Sequence, residues 1–323
     1  MLDHEILLDI KNLKKYYPVT SGLFSAHVGD VRAVDGVSFQ IKAGGNLGLV
    51  GESGCGKSTL GRAILRLEEP TSGEILYKGK DITTLDKKGL RELRKELQIV
   101  FQDPEASLDP RMTVGDSIGE ALIIHKIVGE KEREEKIVEL MKQVGLEAKQ
   151  ADLYPHEFSG GQKQRIGIAR ALAINPSLIV ADEPVSALDV SIQAQVLNLM
   201  MDIQQEFGLS YIFIAHDLSV IKYMSHRVAV MYLGKIVELG DKKEFFQDPL
   251  HPYTEALLSA VPTLQSKKRE RILLHGDVPS PLAPPPGCRF HPRCHKVMEI
   301  CRNIEPELIE VSSGHQVACH LYD

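Results

Sequence analysis

Gly51-Glu52-Ser53-Gly54-Cys55-Gly56-Lys57-Ser58-Thr59 is a G-x-x-x-x-G-K-S run, and its flanks give it meaning. Leu47, Leu49 and Val50 before it have the apolar character of a buried strand, and Leu60-Gly61-Arg62-Ala63-Ile64-Leu65 after it reads as a helix. Strand, glycine-rich loop and helix in that order predict a phosphate loop. The glycines let main-chain N–H groups and the helix N-terminus face negative charge. In such a loop Lys57 reaches the β- and γ-phosphates and the Ser58 hydroxyl ligates Mg²⁺. The predicted ligand is a nucleoside triphosphate, with Gly51, Ser53, Gly54, Cys55, Gly56, Lys57, Ser58 and Thr59 around it. Cys55 is expected to act only as a small residue.

Composition fits one large domain or a domain with an appendage: 323 residues, 43% hydrophobic and 25% charged. No apolar run approaches the roughly 18–20 residues of a membrane span. Met1-Leu2-Asp3-His4-Glu5 has neither a basic region nor a signal-type apolar core, so the expected location is cytosolic. The net charge is −6 with no dense basic stripe, which argues against a nucleic-acid partner. The strongest basic cluster, Lys267-Lys268-Arg269-Glu270-Arg271, reads as a solvated face.

Four of the five cysteines, Cys288, Cys294, Cys301 and Cys319, fall in the last 36 positions. In a chain whose thiols stay reduced, such a cluster points to metal before disulfide. Their C-x5-C-x6-C-x17-C spacing matches neither the paired C-x2-C of structural zinc sites nor a standard ferredoxin run. Spacing alone leaves an iron–sulfur cluster, a Cys₄ zinc site and free thiols open. His291, His295, His315 and His320 keep a mixed-ligand site open as well.

Doubly wound nucleotide folds set their ligand groups at the carboxyl ends of strands. Besides the strand feeding the phosphate loop, Leu97–Phe101 ends at Gln102, Leu178–Ala181 at Asp182-Glu183, and Tyr211–Ala215 at His216-Asp217. Ile6–Ile10 and Val34–Ile41 alternate like strands of an antiparallel flank, with a loop expected from Thr20 to Asp30. Helical periodicity comes after Gln102: Val114, Ile118 and Leu122 share one face, as do Ile137, Leu140, Met141 and Val144. Residues 104–170 thus read as a helical insertion into an α/β core. From residue 241 a tail begins, and Pro281, Pro284, Pro285 and Pro286 bar regular helix there.

Phe158-Ser159-Gly160-Gly161-Gln162 opens another helix and repeats the anion-site logic of the first loop. The order of the phosphate loop, Gln102, Ser159-Gly160-Gly161-Gln162, Asp182-Glu183, Ser186-Ala187-Leu188-Asp189 and His216 resembles the nucleotide-binding subunit of an ABC transporter, over residues 5–245. The resemblance implies a P-loop NTPase (RecA-like) core with an antiparallel flank and a helical subdomain. It implies that Tyr17 stacks on adenine, with Tyr16 the rival, and that Gln102 contacts Mg²⁺ or the attacking water. Asp182 would hold the Mg²⁺ shell, Glu183 act as general base or water-positioning group, and His216 bond the γ-phosphate. Two chains would pair head to tail, each ATP lying between one chain's phosphate loop and the other's Ser159-Gly160-Gly161-Gln162, with Asp189 in the segment that crosses over.

The tail narrows the resemblance. His251-Pro252-Tyr253-Thr254-Glu255-Ala256-Leu257-Leu258 and Pro284-Pro285-Pro286-Gly287-Cys288-Arg289-Phe290-His291-Pro292-Arg293-Cys294 resemble the C-terminal region of oligopeptide/dipeptide importer ATPases, which nickel importers share. The implied division is a cassette over residues 1–245 and a small, irregular metal-binding domain over 246–323. There Cys288, Cys294, Cys301 and Cys319 would carry a [4Fe–4S] cluster, with Zn²⁺ as the alternative. The expected role is structural: a proline-rich tail with few large apolar side chains needs a metal to fold. The resemblance also implies two membrane-spanning permeases, a second and favourably non-identical ATPase with a homodimer as alternative, and indirectly a peptide-binding protein. The location would be peripheral, on the cytoplasmic membrane face. An ATPase for nickel or another solute is the runner-up, and a soluble nucleic-acid-associated ATPase is the other class.

Overall fold

A computed structural model describes residues 5–21, 26–260 and 271–323. Met1 to His4 lie outside the described residues, as do Lys267, Lys268, Arg269 and Glu270 of the basic cluster. The chain divides into two compact units. The first comprises Met1–Ile41, Asn46–Thr84 and Ala215–Asp323; the second comprises Lys42–Gly45 and Leu85–Ile214.

In chain order the elements begin with β1 (Ile6–Ser21), β2 (Ala26–Lys42), β3 (Asn46–Val50), α1 (Lys57–Ile64), β4 (Ser72–Tyr77) and β5 (Lys80–Asp81). Next come α2 (Lys87–Glu96), β6 (Leu97–Val100), α3 (Val114–His125), α4 (Glu130–Gln143), α5 (Gly160–Leu172), β7 (Leu178–Asp182), α6 (Val190–Phe207) and β8 (Ser210–Ile214). The last are α7 (Leu218–Met224), β9 (Arg227–Tyr232), β10 (Lys235–Asp241), α8 (Lys242–Gln247), α9 (Pro252–Ser259), β11 (Ile309–Ser312) and β12 (His315–Val317).

In the first unit an antiparallel flank runs in the order β2-β1-β4-β5. Thr20, Ser21 and the stretch from Ala26 to Asp30 are strand, where the sequence suggested loop. β2 is the hydrogen-bonded neighbour of β1, and Val28 in this stretch is 60% exposed, so hydropathy gives no sign of the strand there. The unit's other strands run β11-β12-β10-β9-β3. β3 is buried at every residue and pairs parallel with β9, Leu47 opposite Arg227 and Val50 opposite Val230.

The proline-rich tail does not stand alone. β12 pairs antiparallel with β10, Glu238 opposite Val317, and β11 closes a hairpin on β12. Phe290 is fully buried against the rings of Tyr232, Tyr253 and His251, at centroid distances of 5.3, 5.3 and 5.6 Å. The expectation that only a metal could fold this segment is corrected: it takes its core from the strands beside it.

In the second unit β8, β7 and β6 are parallel neighbours. All residues of β7 and β8 are buried, which explains their unbroken apolar runs. Val114, Ile118 and Leu122 of α3, Ile137, Leu140 and Met141 of α4, and Ile166, Ala169 and Leu172 of α5 are the buried faces of three helices packed together. Among the described residues no helix is long and apolar enough to cross a membrane.

Candidate functional site

The phosphate-loop sequence folds as a turn that side chains would obstruct. At Gly51 (φ 152°) an added Cβ would lie 2.1 Å from the Met231 carbonyl oxygen; at Gly56 (φ 106°), the N-cap of α1, it would lie 1.9 Å from that of Ala33. Lys57 is buried, and its ammonium donates to the carbonyls of Gly51 (2.8 Å) and Glu52 (3.0 Å). A desolvated cation held by two neutral carbonyls and, at 3.7 Å, by the Cys55 sulfur favours an anionic ligand. Ser53 and Gly54 are exposed, and Gly56, Ser58 and Thr59 half-buried. The Cys55 side chain turns inward, where burial pushes its thiol up, so only its main chain can serve a nucleotide.

The two candidate tyrosines are both half-buried and both committed through their hydroxyls. Tyr17 donates to the Glu68 carboxylate, and the Lys15 ammonium sits 4.8 Å from its ring centroid. Tyr16 donates to Asp35; burial and then that bond push its hydroxyl up to about 12. Burial also works against the Asp35 charge, but hydrogen bonds from Tyr16 and Arg289 prevail and hold its carboxyl below the usual range.

In the second unit, register does the positioning. Val100 of β6 lies opposite Ala181 of β7, and Asp182 opposite Ile214 of β8, so Gln102 and Asp182-Glu183 leave one sheet edge. Gln102 Nε2 donates to Glu183 Oε2 at 2.9 Å. Glu183 has φ 46°, a left-handed conformation that costs a non-glycine residue about 1 kcal/mol or more. It is held there because its N–H donates to the Ile214 carbonyl (2.9 Å) and its carbonyl accepts from Ser186 N (3.2 Å) and Oγ (3.1 Å). Asp182, at the last position of β7, is buried.

Ser159 is the N-cap of α5. Its hydroxyl accepts from Gln162 N–H, and Gln162 Oε1 accepts from Ser159 N–H at 3.0 Å. The Gln162 side chain is thereby committed to a capping box, while Ser159 and Gly160 face outward and Gly161 is buried. Asp189 is the exposed N-cap of α6, and Val190 beside it is 82% exposed. His216 is exposed and belongs to the first unit, between β8 and α7.

Cys301 and Cys319 are buried, and Cys288 and Cys294 half-buried; none is in a disulfide. Burial first, and the neighbouring thiols after it, push Cys288 up to about 12 and Cys319 up to about 11, and raise Cys294 in the same way. Each of the four therefore lies within electrostatic range of the others. Among the described residues, however, no group of three or more His, Cys, Asp or Glu side chains is placed to hold a metal ion. The described residues thus bring the four thiols near one another without showing the metal-binding domain expected from the sequence.

Sequence reasoning passed over Glu52, the variable second position of the loop. Its carboxylate is gripped by Arg293 and its N–H donates to Tyr253 Oη at 2.8 Å. No spacing rule links residues so far apart, and an arginine in a Cys- and Pro-rich segment reads as solvent-facing.

Comparison with known proteins agrees with the resemblance at both ends of the chain. The family described as ABC transporter matches residues 34–186, and that described as oligopeptide/dipeptide transporter, C-terminal region, matches residues 237–301. The oligopeptide transport ATP-binding protein AppF of Bacillus subtilis is 57% identical, over 99% of this chain and 98% of its own. The dipeptide transport ATP-binding protein DppF of Haemophilus influenzae is 54% identical, over 98% and 97%. Among solved structures, the ATP-binding cassette MJ0796, in a dimeric post-hydrolysis state with ADP and Pi, aligns with TM-score 0.65 and 30% identity over 73% of this chain and 98% of that one. The cbiO1 protein of Clostridium perfringens aligns with TM-score 0.64 and 29% identity over 76% and 92%. The fold is the P-loop fold of ABC ATPases, and the chain belongs to the ATP-binding proteins of the oligopeptide/dipeptide ABC-transporter family.

Proposed function

We propose that this chain is the ATP-hydrolysing subunit that energises uptake of di- or oligopeptides, lying peripherally on the cytoplasmic face of a membrane. The observation that carries the reading is full-length likeness to peptide-transport ATP-binding proteins, which extends through the tail. Residues 1–245 serve as the cassette, 104–170 as its helical arm and 246–323 as the C-terminal region.

In the proposed cycle the loop amides and Lys57 bind the nucleotide's phosphates, and Tyr17 takes the adenine. Ser58, Gln102 and Asp182 would hold Mg²⁺, which when bound neutralises charge on the phosphates. Glu183 accepts a proton from the attacking water, and the Gln102 amide holds that carboxylate in place. His216 bonds the γ-phosphate. Exposed Ser159 and Gly160, with the Asp189 turn, face a second chain that pairs head to tail; MJ0796, solved as a dimer, supports that pairing. The partner chain is a related, non-identical ATPase, and a second copy is the other outcome. Ile123, Ile124 and Ile127, exposed at the end of α3, support docking of the helical arm on two membrane-spanning subunits. A net charge of −6 supports the absence of a nucleic-acid partner.

The test is transport by the assembled complex: permeases, both ATPases and peptide-binding protein in vesicles with ATP on the ATPase side. Labelled di- or oligopeptide should accumulate only with ATP and should stimulate hydrolysis. Stimulation by a nickel chelate but by no peptide would replace the substrate class.

For the tail we infer that Cys288, Cys294, Cys301 and Cys319 bind a [4Fe–4S] cluster, with Zn²⁺ as the alternative. Their number and mutual closeness support this, and ligating distances would have to form on binding. Protein purified without oxygen should contain iron and acid-labile sulfide in equal amounts, both lost in Cys→Ser variants. Stoichiometric zinc without sulfide would substitute the zinc site, and metal-free folded protein would remove both.

A further inference from the structure

Glu52 is the point at which the C-terminal segment takes hold of the phosphate loop. Arg293 makes two parallel bonds to its carboxylate, Nη1 to Oε2 at 2.6 Å and Nη2 to Oε1 at 2.9 Å. The Arg293 side chain is only 7% exposed, so this is a shielded, bidentate pair and not a surface contact. The main chain of Glu52 is held as well. Its N–H donates to the hydroxyl of fully buried Tyr253, and its carbonyl accepts from Lys57 Nζ and, at 3.2 Å, from Cys55 N–H. One residue thus receives the tail on its side chain and amide and the loop's lysine on its carbonyl.

The arginine has a firm seat. Buried Phe290 packs on Tyr232 and Tyr253, and Arg289 donates to the Leu233 carbonyl and to Asp35. Asp35 in turn accepts from Tyr16, next to the residue proposed to take the adenine. Arg293 therefore braces the phosphate loop directly, and Arg289, four residues earlier, reaches Tyr16 of β1 through Asp35.

We propose that Arg293 is a positioning residue for nucleotide binding: through Glu52 it fixes the phosphate loop in the shape that accepts ATP, so that the C-terminal segment sets nucleotide affinity. The proposal rests on reading residues 51–59 as the phosphate seat, and Lys57→Ala, measured alongside, tests that reading separately. In the full-length protein, Arg293→Ala should raise the Kd for a fluorescent ATP analogue and the KM for ATP roughly ten-fold, a loss of the size expected for a charge-assisted pair, and leave kcat within about two-fold. Arg293→Lys should recover only part, because an ammonium cannot make both bonds. Adding Glu52→Gln to Arg293→Ala should cost little more than the arginine variant alone, since both remove the same interaction. A purely structural role would lower the melting temperature and leave KM and Kd in place. If Arg293→Ala does not fold, Glu52→Gln alone, which keeps side-chain shape and one acceptor, carries the same expectation. Unchanged KM and Kd in whichever of these folds, or additive effects in the double variant, would overturn the proposal. Loss of binding in Lys57→Ala with no effect at Arg293 would overturn it and spare the reading of the loop.

Discussion

Glu183→Gln is expected to stop turnover and keep ATP bound. The amide has the shape of the carboxylate, and its oxygen can accept the bond that Gln102 Nε2 now makes at 2.9 Å, so the local structure survives. Lys57, Ser58 and Asp182 are untouched, so nucleotide binding survives with it. In the proposed cycle only the ability to take a proton from water is gone, and a fall in kcat on the order of 10² or more is the expected result. ATP that joins two chains but is not split should leave them joined. Size exclusion with ATP should therefore show a dimer that the wild type does not accumulate. Lys57→Ala should lose binding itself and form no such dimer. Hydrolysis near the wild-type rate in Glu183→Gln would take this carboxylate out of the mechanism.

The largest effect on stability is expected at Glu238, a carboxylate with 0% exposure in the middle of β10. It accepts from Leu250 N–H at 3.0 Å, from His251 N–H at 2.8 Å and from His315 Nε2 at 2.9 Å. These partners lead into α9 on one side and start β12 on the other, so one side chain ties two tail elements to β10. The His251 side chain adds no charge to this group: burial holds its imidazole neutral, down to about 3, and its Nδ1 accepts from Tyr253 N–H. Glu238→Leu fills similar space but strands three buried donors, at a cost of about 3–5 kcal/mol. Calorimetry should show a melting temperature lower by at least about 5 °C, with earlier proteolysis beyond residue 241. Glu238→Gln, with one acceptor left, should fall between. A Leu variant melting within about 1 °C of wild type would contradict the assignment.

Local patterns alone made part of the fold legible. The phosphate loop, the apolar run of β7 and the buried faces of α3, α4 and α5 are each written in a few neighbouring residues, where composition and period decide the outcome. Gln102 and Glu183 were legible as candidates because each comes just after a strand; their contact was not, because it depends on the register of β6 against β7. The extension of β1 and β2 was hidden because ladder bonds, which leave no hydropathy signal, hold those residues. The four cysteines were countable, but whether they stand at ligating distance depends on how the chain folds around Cys288 and Cys301, whose backbones meet in a 2.8 Å hydrogen bond. Least legible was the tail's attachment. Arg293 and Glu238 look like surface charges in sequence, and each is buried only because a partner far along the chain receives it.

The distance along the chain between the loop and its fastenings bears on synthesis. Tyr253 and Arg293 come 201 and 241 positions after Glu52. The second unit is a single stretch, Leu85–Ile214, apart from four residues, and it can close while the ribosome is still adding the C-terminal third of the chain. The first unit needs three separate stretches, and β10 waits for β12 at residues 315–317. A nascent chain therefore displays the phosphate-loop sequence long before anything clasps it. The grip of Tyr253 and Arg293 on Glu52 is therefore among the last contacts the loop can acquire as the chain lengthens.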